Sequence, residues 1–201
     1  HSSWVSADWD RDGDKDLIAA VNGNAYDTRD TADRIYLYEN TGNIRNAQFK
    51  LKSSNFGNFI PEKINSLTIA AEDMDNDGKL DLVCGNDKGE ILFYRNTSSA
   101  NNTLSPTFQK SNSTFTGFNI DIGGFSAPAI ADINRDGLKD LVLLSAQALE
   151  GISVYLNKSQ GRFEEKQLLQ FPAVHGSSSF QIVDFNKDGH LDLLMTNGDN
   201  W

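Results

Sequence analysis

Cysteine, basic residues and long apolar runs are scarce in this chain, and each scarcity excludes a class of protein. Cys84 is the single cysteine, so the fold does not rest on an intramolecular disulfide framework. The 18 Lys and Arg residues are outnumbered by 28 Asp and Glu residues. The resulting net charge of −10 argues against a nucleic-acid-binding surface, which needs a basic patch. No apolar run approaches the roughly 18–20 residues of a membrane span, so we expect no membrane insertion by this segment.

Histidine is also scarce, and no catalytic sequence motif is present. The three histidines do not form the H-E-x-x-H pattern of zinc proteases. The G-x-S-x-G, phosphate-loop and dinucleotide-binding motifs are absent as well. We therefore expect that this segment is not an enzyme, although a catalytic domain in a longer parent chain stays an alternative.

The acidic residues are concentrated in a short segment that occurs four times. Its copies are Asp8–Leu17, Asp73–Leu82, Asp132–Leu141 and Asp184–Leu193, which fit the pattern D-x-[DN]-x-D-G-x-x-D-L. Half of the 28 acidic residues occupy positions 1, 3, 5 and 9 of this pattern. Internal repetition of this kind is typical of a fold assembled from similar structural units.

The spacing of the acidic positions predicts a cation site in each copy. Side-chain oxygens at positions 1, 3, 5 and 9 and the backbone carbonyl at position 7 can converge on one ion, and glycine at position 6 permits the sharp turn. An all-oxygen set suits Ca²⁺ better than Mg²⁺, which demands a strict octahedron, or Zn²⁺, which prefers Cys and His. We expect up to four Ca²⁺ ions. The predicted ligands are Asp8, Asp10, Asp12, Asp14, Asp16, Asp73, Asp75, Asp77, Lys79, Asp81, Asp132, Asn134, Asp136, Leu138, Asp140, Asp184, Asn186, Asp188, His190 and Asp192, of which Asp14, Lys79, Leu138 and His190 bind through the backbone carbonyl.

Two other interpretations of the acidic segment are an EF-hand and a turn without metal. An EF-hand needs a bidentate Glu at position 12 and a helix on each side. Position 12 is Ala19, Cys84, Leu143 or Met195, and no helical periodicity flanks the segments, so the EF-hand is excluded. Surface turns that are rich in Asp and Gly but bind no ion stay an alternative.

Short apolar stretches on both sides of each segment predict β-strands. In the first unit they are Trp4–Ala7 and Leu17–Val21, followed by strands at Arg34–Glu39 and Gln48–Leu51. The later units repeat this order, so each acidic segment is expected to connect a β-hairpin. Four antiparallel strands per unit predict an all-β protein of the β-propeller type, with a β-sandwich as the alternative.

The four units are expected to form a single β-propeller segment. The predicted blades cover approximately residues 1–60, 61–115, 116–172 and 173–201, and the last one holds two strands. About three and a half blades are fewer than the roughly four to eight of a closed ring. We therefore expect this chain to be part of a larger ring.

The acidic loops, together with Gly124-Phe125-Ser126-Ala127-Pro128 in the third unit, resemble the FG-GAP/VCBS repeat family. This family supplies the calcium-binding blades of integrin α-subunit propellers and of many surface proteins. The resemblance implies that Ca²⁺ stabilises the hairpin loop between the first two strands of each blade. It also implies an adhesion, binding or scaffold module.

The calcium prediction implies a location for the protein. Calcium at about 10⁻³ M outside cells fills even weak sites, so we expect a secreted or cell-surface protein, or a periplasmic one in a bacterium. The expected partner is a protein or a glycan. The propeller domain of a carbohydrate-active enzyme and a glycan-binding lectin are the alternatives.

Asparagine triplets and tryptophans give further expectations. The N-x-S/T triplets begin at Asn96, Asn101, Asn112 and Asn157, and they make glycans plausible if the source is a eukaryote. Trp4, Trp9 and Trp201 are expected to pack in the core or between blades, with a sugar-stacking platform as the alternative. Cys84 is expected to be a small buried side chain.

Overall fold

The described part of the chain consists of β-strands, their connections and one short 3-10 turn. The computed structural model describes residues 2–23, 32–59, 62–99, 105–111, 124–145, 151–159, 162–170 and 177–197. The strands are β1 (Ser2–Ala7), β2 (Asp16–Val21), β3 (Arg34–Asn40), β4 (Phe49–Ser53), β5 (Thr68–Glu72), β6 (Asp81–Gly85), β7 (Ile91–Asn96), β8 (Phe108–Lys110), β9 (Ser126–Ala131), β10 (Asp140–Ser145), β11 (Gly151–Asn157), β12 (Phe163–Gln170), β13 (Ser177–Val183) and β14 (Asp192–Asn197), and the 3-10 turn is Phe56–Asn58. No helix among the described residues is long and apolar enough to cross a membrane.

The strands form four antiparallel sheets, which we call blades 1 to 4 in chain order. Blades 1 to 3 have four strands each, in the orders β1-β2-β3-β4, β5-β6-β7-β8 and β9-β10-β11-β12, and blade 4 pairs β13 with β14. Every strand pairs with its neighbour in the chain, so each sheet is a simple meander. The prediction of an all-β fold built of four-stranded antiparallel blades is confirmed, and the described residues do not close a ring.

The first strand of each blade lies on the inner side of the assembly. Strand β1 adjoins β5, β5 adjoins β9, and β9 adjoins β13. These four strands line a cleft of about 510 Å³, which corresponds to the central channel of a propeller. The last strands β4, β8 and β12 therefore form the outer edges of the blades.

Apolar side chains fill the space between successive blades. Trp9 lies between blades 1 and 2, where its ring centroid is 4.9 Å from that of Phe56. Met74 lies between blades 2 and 3, and Ile133 packs between blades 3 and 4. All three occupy position 2 of an acidic loop, so each loop contributes one side chain to the interface with the next blade. Burial between neighbours is the main source of stability in repeat folds of this kind.

Buried polar groups also join the blades. The Asp33 carboxylate accepts hydrogen bonds from the backbone N–H of Gly23 at 2.8 Å and of Leu67 at 2.9 Å, which ties blade 1 to the start of blade 2. Between blades 2 and 3, the Thr68 hydroxyl donates to the Ser126 carbonyl at 2.8 Å. The N–H of Asn86 donates to the Ser126 hydroxyl at 3.0 Å.

The tryptophan predictions are confirmed only in part. Trp9 is buried between blades, whereas Trp4 is 60% exposed and does not pack in the core of the described blades, so its packing between blades stays a prediction. The reason is its place on the open face of blade 1, which no described blade covers. Trp201 lies outside the described residues. Cys84 is buried as predicted, and burial raises the pKa of its thiol far above the ordinary value.

The opposite end of the assembly has a matching open face. Phe185 occupies position 2 of the fourth loop, where Trp9 and Met74 are buried in the preceding blades, yet it is 70% exposed. Val183 and Leu194 are exposed near it. Blade 4 therefore presents apolar side chains at positions that the next blade covers in blades 1 to 3.

Candidate metal centres

Each acidic segment connects a β-hairpin, as the sequence predicts. The first two strands of every blade are antiparallel. In the register pair nearest the loop, the residue before the acidic segment is opposite the ninth residue of that segment. These pairs are Ala7 with Asp16, Glu72 with Asp81, Ala131 with Asp140, and Val183 with Asp192. Positions 1 to 8 therefore form the loop, and position 9 begins the second strand. We number the loops 1 to 4 after their blades.

The four loops follow the same backbone path. At position 4 the φ angles are 63° for Arg11, 58° for Asn76, 60° for Arg135 and 60° for Lys187. The glycine at position 6 has φ between 83° and 98° in every loop. Side chains strain the backbone at such angles and glycine does not, so the turn itself requires this glycine.

The first aspartate anchors each loop. Its Oδ2 atom accepts a hydrogen bond of 2.8–3.1 Å from the N–H of the glycine at position 6, in the pairs Asp8 with Gly13, Asp73 with Gly78, Asp132 with Gly137, and Asp184 with Gly189. The Oδ1 atom of the residue at position 3 accepts from the N–H of position 5 in all four loops. These bonds hold the side chains of positions 1, 3 and 5 around one point.

Carboxylate oxygens crowd together in loops 1 and 2. Among the described residues, two groups bring one oxygen from each of three carboxylates within 4.8 Å of one another, namely Asp8 with Asp10 and Asp12, and Asp73 with Asp75 and Asp77. The Oδ1 atoms of Asp8 and Asp14 in loop 1 are buried and accept no hydrogen bond, and the same holds for Oδ2 of Asp75 in loop 2, which has the charge of Arg95 beside it. Buried carboxylate oxygens are costly without a compensating partner, and a cation supplies one.

In loops 3 and 4 an amide replaces the carboxylate at position 3. Asn134 donates from Nδ2 to the Oδ2 atom of Asp136 at 2.9 Å, and Asn186 does the same to Asp188. A hydrogen bond between positions 3 and 5 thereby replaces the repulsion between two carboxylates. The Oδ1 atom of each asparagine accepts a hydrogen bond from the N–H of position 5, and its role as a neutral oxygen ligand stays a prediction.

The aspartate at position 9 is held in a different way. Asp16, Asp81 and Asp140 are buried, and each accepts one backbone N–H from position 2 of its loop and a second from the asparagine that ends the third strand. For Asp140 the donors are Ile133 and Asn157, both at 2.9 Å. A carboxylate oxygen has two lone pairs, so these bonds leave it able to bind a cation as well. Its role as a ligand, like that of the position 7 carbonyl, stays a prediction.

The electrostatic setting differs among the loops. In loop 1, burial and then the neighbouring acids raise the pKa of Asp10 and of Asp14 above the usual range. In loop 2, burial raises the pKa of Asp81 to about 7. At Asp77, burial acts to raise the pKa. The hydrogen bonds and charge of Lys79 and the charge of Arg95 outweigh burial, so the pKa of Asp77 is lowered overall. At Asp136 in loop 3, hydrogen bonds from the Leu138 N–H and the Asn134 side chain lower the pKa.

The donor set fits a hard divalent cation. Positions 1, 3 and 5 offer only carboxylate and amide oxygens, and two of the carboxylates in loop 1 have a buried oxygen without a donor. Ca²⁺ tolerates the irregular geometry of such a set, whereas Zn²⁺ needs softer ligands. His190 is the single histidine in the four loops, and it lies at position 7, where the backbone carbonyl is the predicted ligand.

Sequence reasoning missed the structural role of the asparagine that ends the third strand. Asn96 and Asn157 are buried and donate from Nδ2 to the carbonyls of Leu80 at 3.1 Å and Lys139 at 3.0 Å. Because their amide nitrogens point inward, the expectation of glycans at these two triplets is wrong. Asn101 and Asn112 lie outside the described residues. The available signal was the recurrence of Asn at the same place after the third strand of each blade.

The fold and the loops define an all-β repeat protein whose blades each carry an acidic hairpin loop. A family model described as FG-GAP-like repeat matches residues 8–84, 73–143 and 132–195. Each match begins at position 1 of one loop and ends at position 12 of the next, and together they cover most of the chain. The chain belongs to the FG-GAP-like repeat family, whose repeats are propeller blades and generally serve as non-catalytic binding modules. A comparison with curated proteins found no significant match.

Proposed function

We propose that the four loops bind Ca²⁺ and that the chain is a calcium-stabilised propeller segment that acts as an extracellular binding or scaffold module. The observation that carries this proposal is the oxygen cluster of loop 1, where Asp8, Asp10 and Asp12 converge and the buried Oδ1 atoms of Asp8 and of the neighbouring Asp14 have no hydrogen-bond donor. The same backbone path in the other three loops extends the proposal to them.

Calcium is favoured over the other common ions because the loops supply several charged oxygens and no soft ligand. Without an ion the clustered carboxylates repel one another, so binding stabilises the folded blades, and the gain grows with the logarithm of the free calcium concentration once this exceeds the dissociation constant. Extracellular calcium is high enough to fill sites of modest affinity. These arguments support a secreted or cell-surface location, or the periplasm of a bacterium.

Isothermal titration calorimetry of the metal-free chain with CaCl₂ tests the calcium proposal. We expect up to four ions bound per chain, with MgCl₂ competing weakly because it demands a stricter octahedron. The matched control is a chain in which Asp8, Asp73, Asp132 and Asp184 are each replaced by Asn. Equal binding by this control and the unaltered chain would contradict the proposal.

The partner is proposed to be a protein or a glycan, and the aromatic face of blade 1 favours a glycan on the premise that no further blade covers that face. Trp4 is exposed on β1 and is aligned across the sheet with Ala19 and Tyr36, and the rings of Tyr36 and Tyr38 stack with centroids 6.4 Å apart. Aromatic faces of this kind pack against sugar rings. A glycan array in CaCl₂ tests it: a signal that Trp4→Ser abolishes would support glycan binding, and a chain that binds no glycan would leave a protein partner.

A further inference from the structure

Two positions next to the carboxylate clusters differ in charge from blade to blade. One is position 7 of the loop, where the backbone carbonyl is the predicted ligand and the side chain is free to vary. The other is the residue before the asparagine that ends the third strand. The pairs are Asp14 with Glu39 in blade 1, Lys79 with Arg95 in blade 2, and Leu138 with Leu156 in blade 3. The two positions are therefore both acidic, both basic or both neutral.

In blade 2 the two basic side chains contact the carboxylates of the loop. The Nε atom of Arg95 lies 2.6 Å from Oδ2 of Asp75, and its Nη2 atom lies 3.8 Å from Oδ2 of Asp77. The Nζ atom of Lys79 lies 2.9 Å from the same oxygen of Asp77. Two of the three clustered carboxylates thus already have a cationic partner that an incoming ion must compete with or displace.

In blade 1 the same two positions add negative charge. Asp14 is only 7% exposed, and its Oδ1 atom is buried without a donor beside the acidic cluster. Glu39 occupies the second position, directly before Asn40 at the end of the third strand, and it pairs with Lys52 at 3.0 Å. Among the described residues, no ion pair reaches a carboxylate of loop 1.

In blade 3 the two positions are leucines, so neither adds a charge. Asn134 at position 3 leaves loop 3 with one carboxylate fewer than loop 2, but its carboxylates have no direct cationic partner among the described residues. Loop 3 is therefore intermediate between a loop with extra negative charge and a loop that is already compensated.

We propose that these two positions set the order in which the loops bind calcium: loop 1 first, loop 3 next and loop 2 last. The inference rests on the proposed function, because it assumes that the loops bind Ca²⁺. Its physical basis is the Coulomb energy between a divalent ion and unit charges a few ångströms from its site. Among blades 1 to 3, blade 2 is then the one that loses its ion first when calcium falls.

The loop glycines provide one reporter for each site. The N–H groups of Gly13, Gly78 and Gly137 donate to the first aspartate of their own loop, so their chemical shifts respond to an ion in that loop. The test is a calcium titration of the ¹⁵N-labelled chain that starts from the metal-free state, with the chemical shift of each glycine N–H measured by heteronuclear NMR. The expected midpoint is lowest for Gly13 and highest for Gly78, with roughly a tenfold or larger separation.

Charge substitutions test whether the two positions cause the order. Arg95→Leu gives blade 2 the residue of blade 3, and we expect it to lower the Gly78 midpoint roughly tenfold while Gly13 is unchanged. Lys110→Leu is the matched control: it removes a positive charge from the same blade at a residue that pairs with Glu62 at 3.9 Å rather than with the loop. It should leave the Gly78 midpoint unchanged. Asp14→Asn should raise the Gly13 midpoint.

The outcomes separate this inference from the proposed function. A common midpoint for the three glycines, or a Gly78 midpoint that Arg95→Leu does not move, would overturn the order while calcium binding stands. Glycine signals that do not respond to millimolar calcium would overturn both. If Arg95→Leu fails to fold, Lys79→Leu replaces the other basic side chain and must lower the same midpoint for the order to hold.

Discussion

The aspartates of a single loop fall into two groups that serve different physical ends. Those at positions 1, 3 and 5 lie at the surface or half-buried, and their carboxylates crowd together within 4.8 Å in loops 1 and 2. The aspartate at position 9 is buried in blades 1 to 3, and both of its oxygens accept backbone hydrogen bonds. The same residue type therefore serves two ends: the aspartate at position 9 holds the loop to the strands, and the aspartates at positions 1, 3 and 5 repel one another.

Different aspartates therefore determine the shape of the loop and its dependence on a cation. The position 9 aspartate fixes the hairpin end whether or not a cation is present, because its partners are backbone N–H groups. The carboxylates at positions 1, 3 and 5 also accept backbone hydrogen bonds, but these bonds leave their negative charges crowded together, and a bound cation relieves that repulsion. Substitutions in the two groups should therefore respond differently to calcium.

The largest effect is expected for Asp140→Ala. This change leaves the half-buried N–H of Ile133 and the buried N–H of Asn157 without an acceptor, at a cost of about 2–5 kcal/mol in the free energy of unfolding. Because the lost bonds do not involve the ion, most of the loss should appear in EGTA as well as in CaCl₂. Urea denaturation under both conditions measures it. A loss seen only in CaCl₂ would mean that Asp140 acts chiefly as a ligand.

The next effect is the pH dependence of the metal-free protein. Burial raises the pKa of Asp81 to about 7 from an ordinary value of 3.8. Between these values the unfolded chain releases a proton that the folded chain keeps, so stability falls as pH rises from about 4 to about 7, by roughly 1–3 kcal/mol. Calcium should reduce this fall because it favours the ionised carboxylate.

Denaturation in EGTA at several pH values between 4 and 7 measures this slope. Asp81→Asn is the control, because an amide does not titrate and the slope should diminish in this variant. A stability that rises with pH across this window in the unaltered chain would contradict the assigned role of Asp81.

A smaller effect, with a change of sign, is expected for Asp10→Asn. The substitution gives loop 1 the residue that loops 3 and 4 have at position 3, and it removes one like charge from the cluster. In EGTA we expect a gain of about 0.5–1 kcal/mol from reduced repulsion. In CaCl₂ we expect a net loss of similar size because a charged ligand is missing. Compared with the unaltered chain, the variant should have a higher melting temperature in EGTA and a lower one in CaCl₂. A shift of the same sign in both buffers would argue against an ion in loop 1.

The smallest effect is expected for Asp192→Ala in loop 4. Among the described residues, the N–H of Phe185 donates to Asp192 at 3.0 Å, in an exposed setting where water can replace the lost acceptor. The cost should be below about 1 kcal/mol, much less than for Asp140→Ala. Urea denaturation of both variants side by side makes the comparison, and equal losses would show that burial does not decide the role of position 9.

Much of this architecture could be predicted from the sequence because it depends on local patterns. The recurring D-x-[DN]-x-D-G-x-x-D-L segment locates the loops, and the apolar stretches beside it locate the strand pairs. Glycine at position 6 could be explained before the structure, since the sharp turn needs a positive φ. The buried Cys84 follows from its place within a strand.

The remaining features depend on contacts between residues that are distant in the chain. The bond between Asn40 and Asp16 spans two strands, and nothing in the local sequence of either residue shows it. The bond from Leu67 to Asp33 crosses from one blade to the next. The exposure of Trp4 follows from which blade covers which face, a property of the whole assembly and not of the strand.

The account depends most on calcium in the loops, and a thermal melt of the chain tests this most directly. The melt is recorded in excess EGTA, in millimolar CaCl₂ and in millimolar MgCl₂. We expect the melting temperature to rise by about 10 °C or more with calcium, and much less with magnesium. Identical curves in EGTA and CaCl₂ would contradict the account, because the clustered carboxylates would then be stable without an ion.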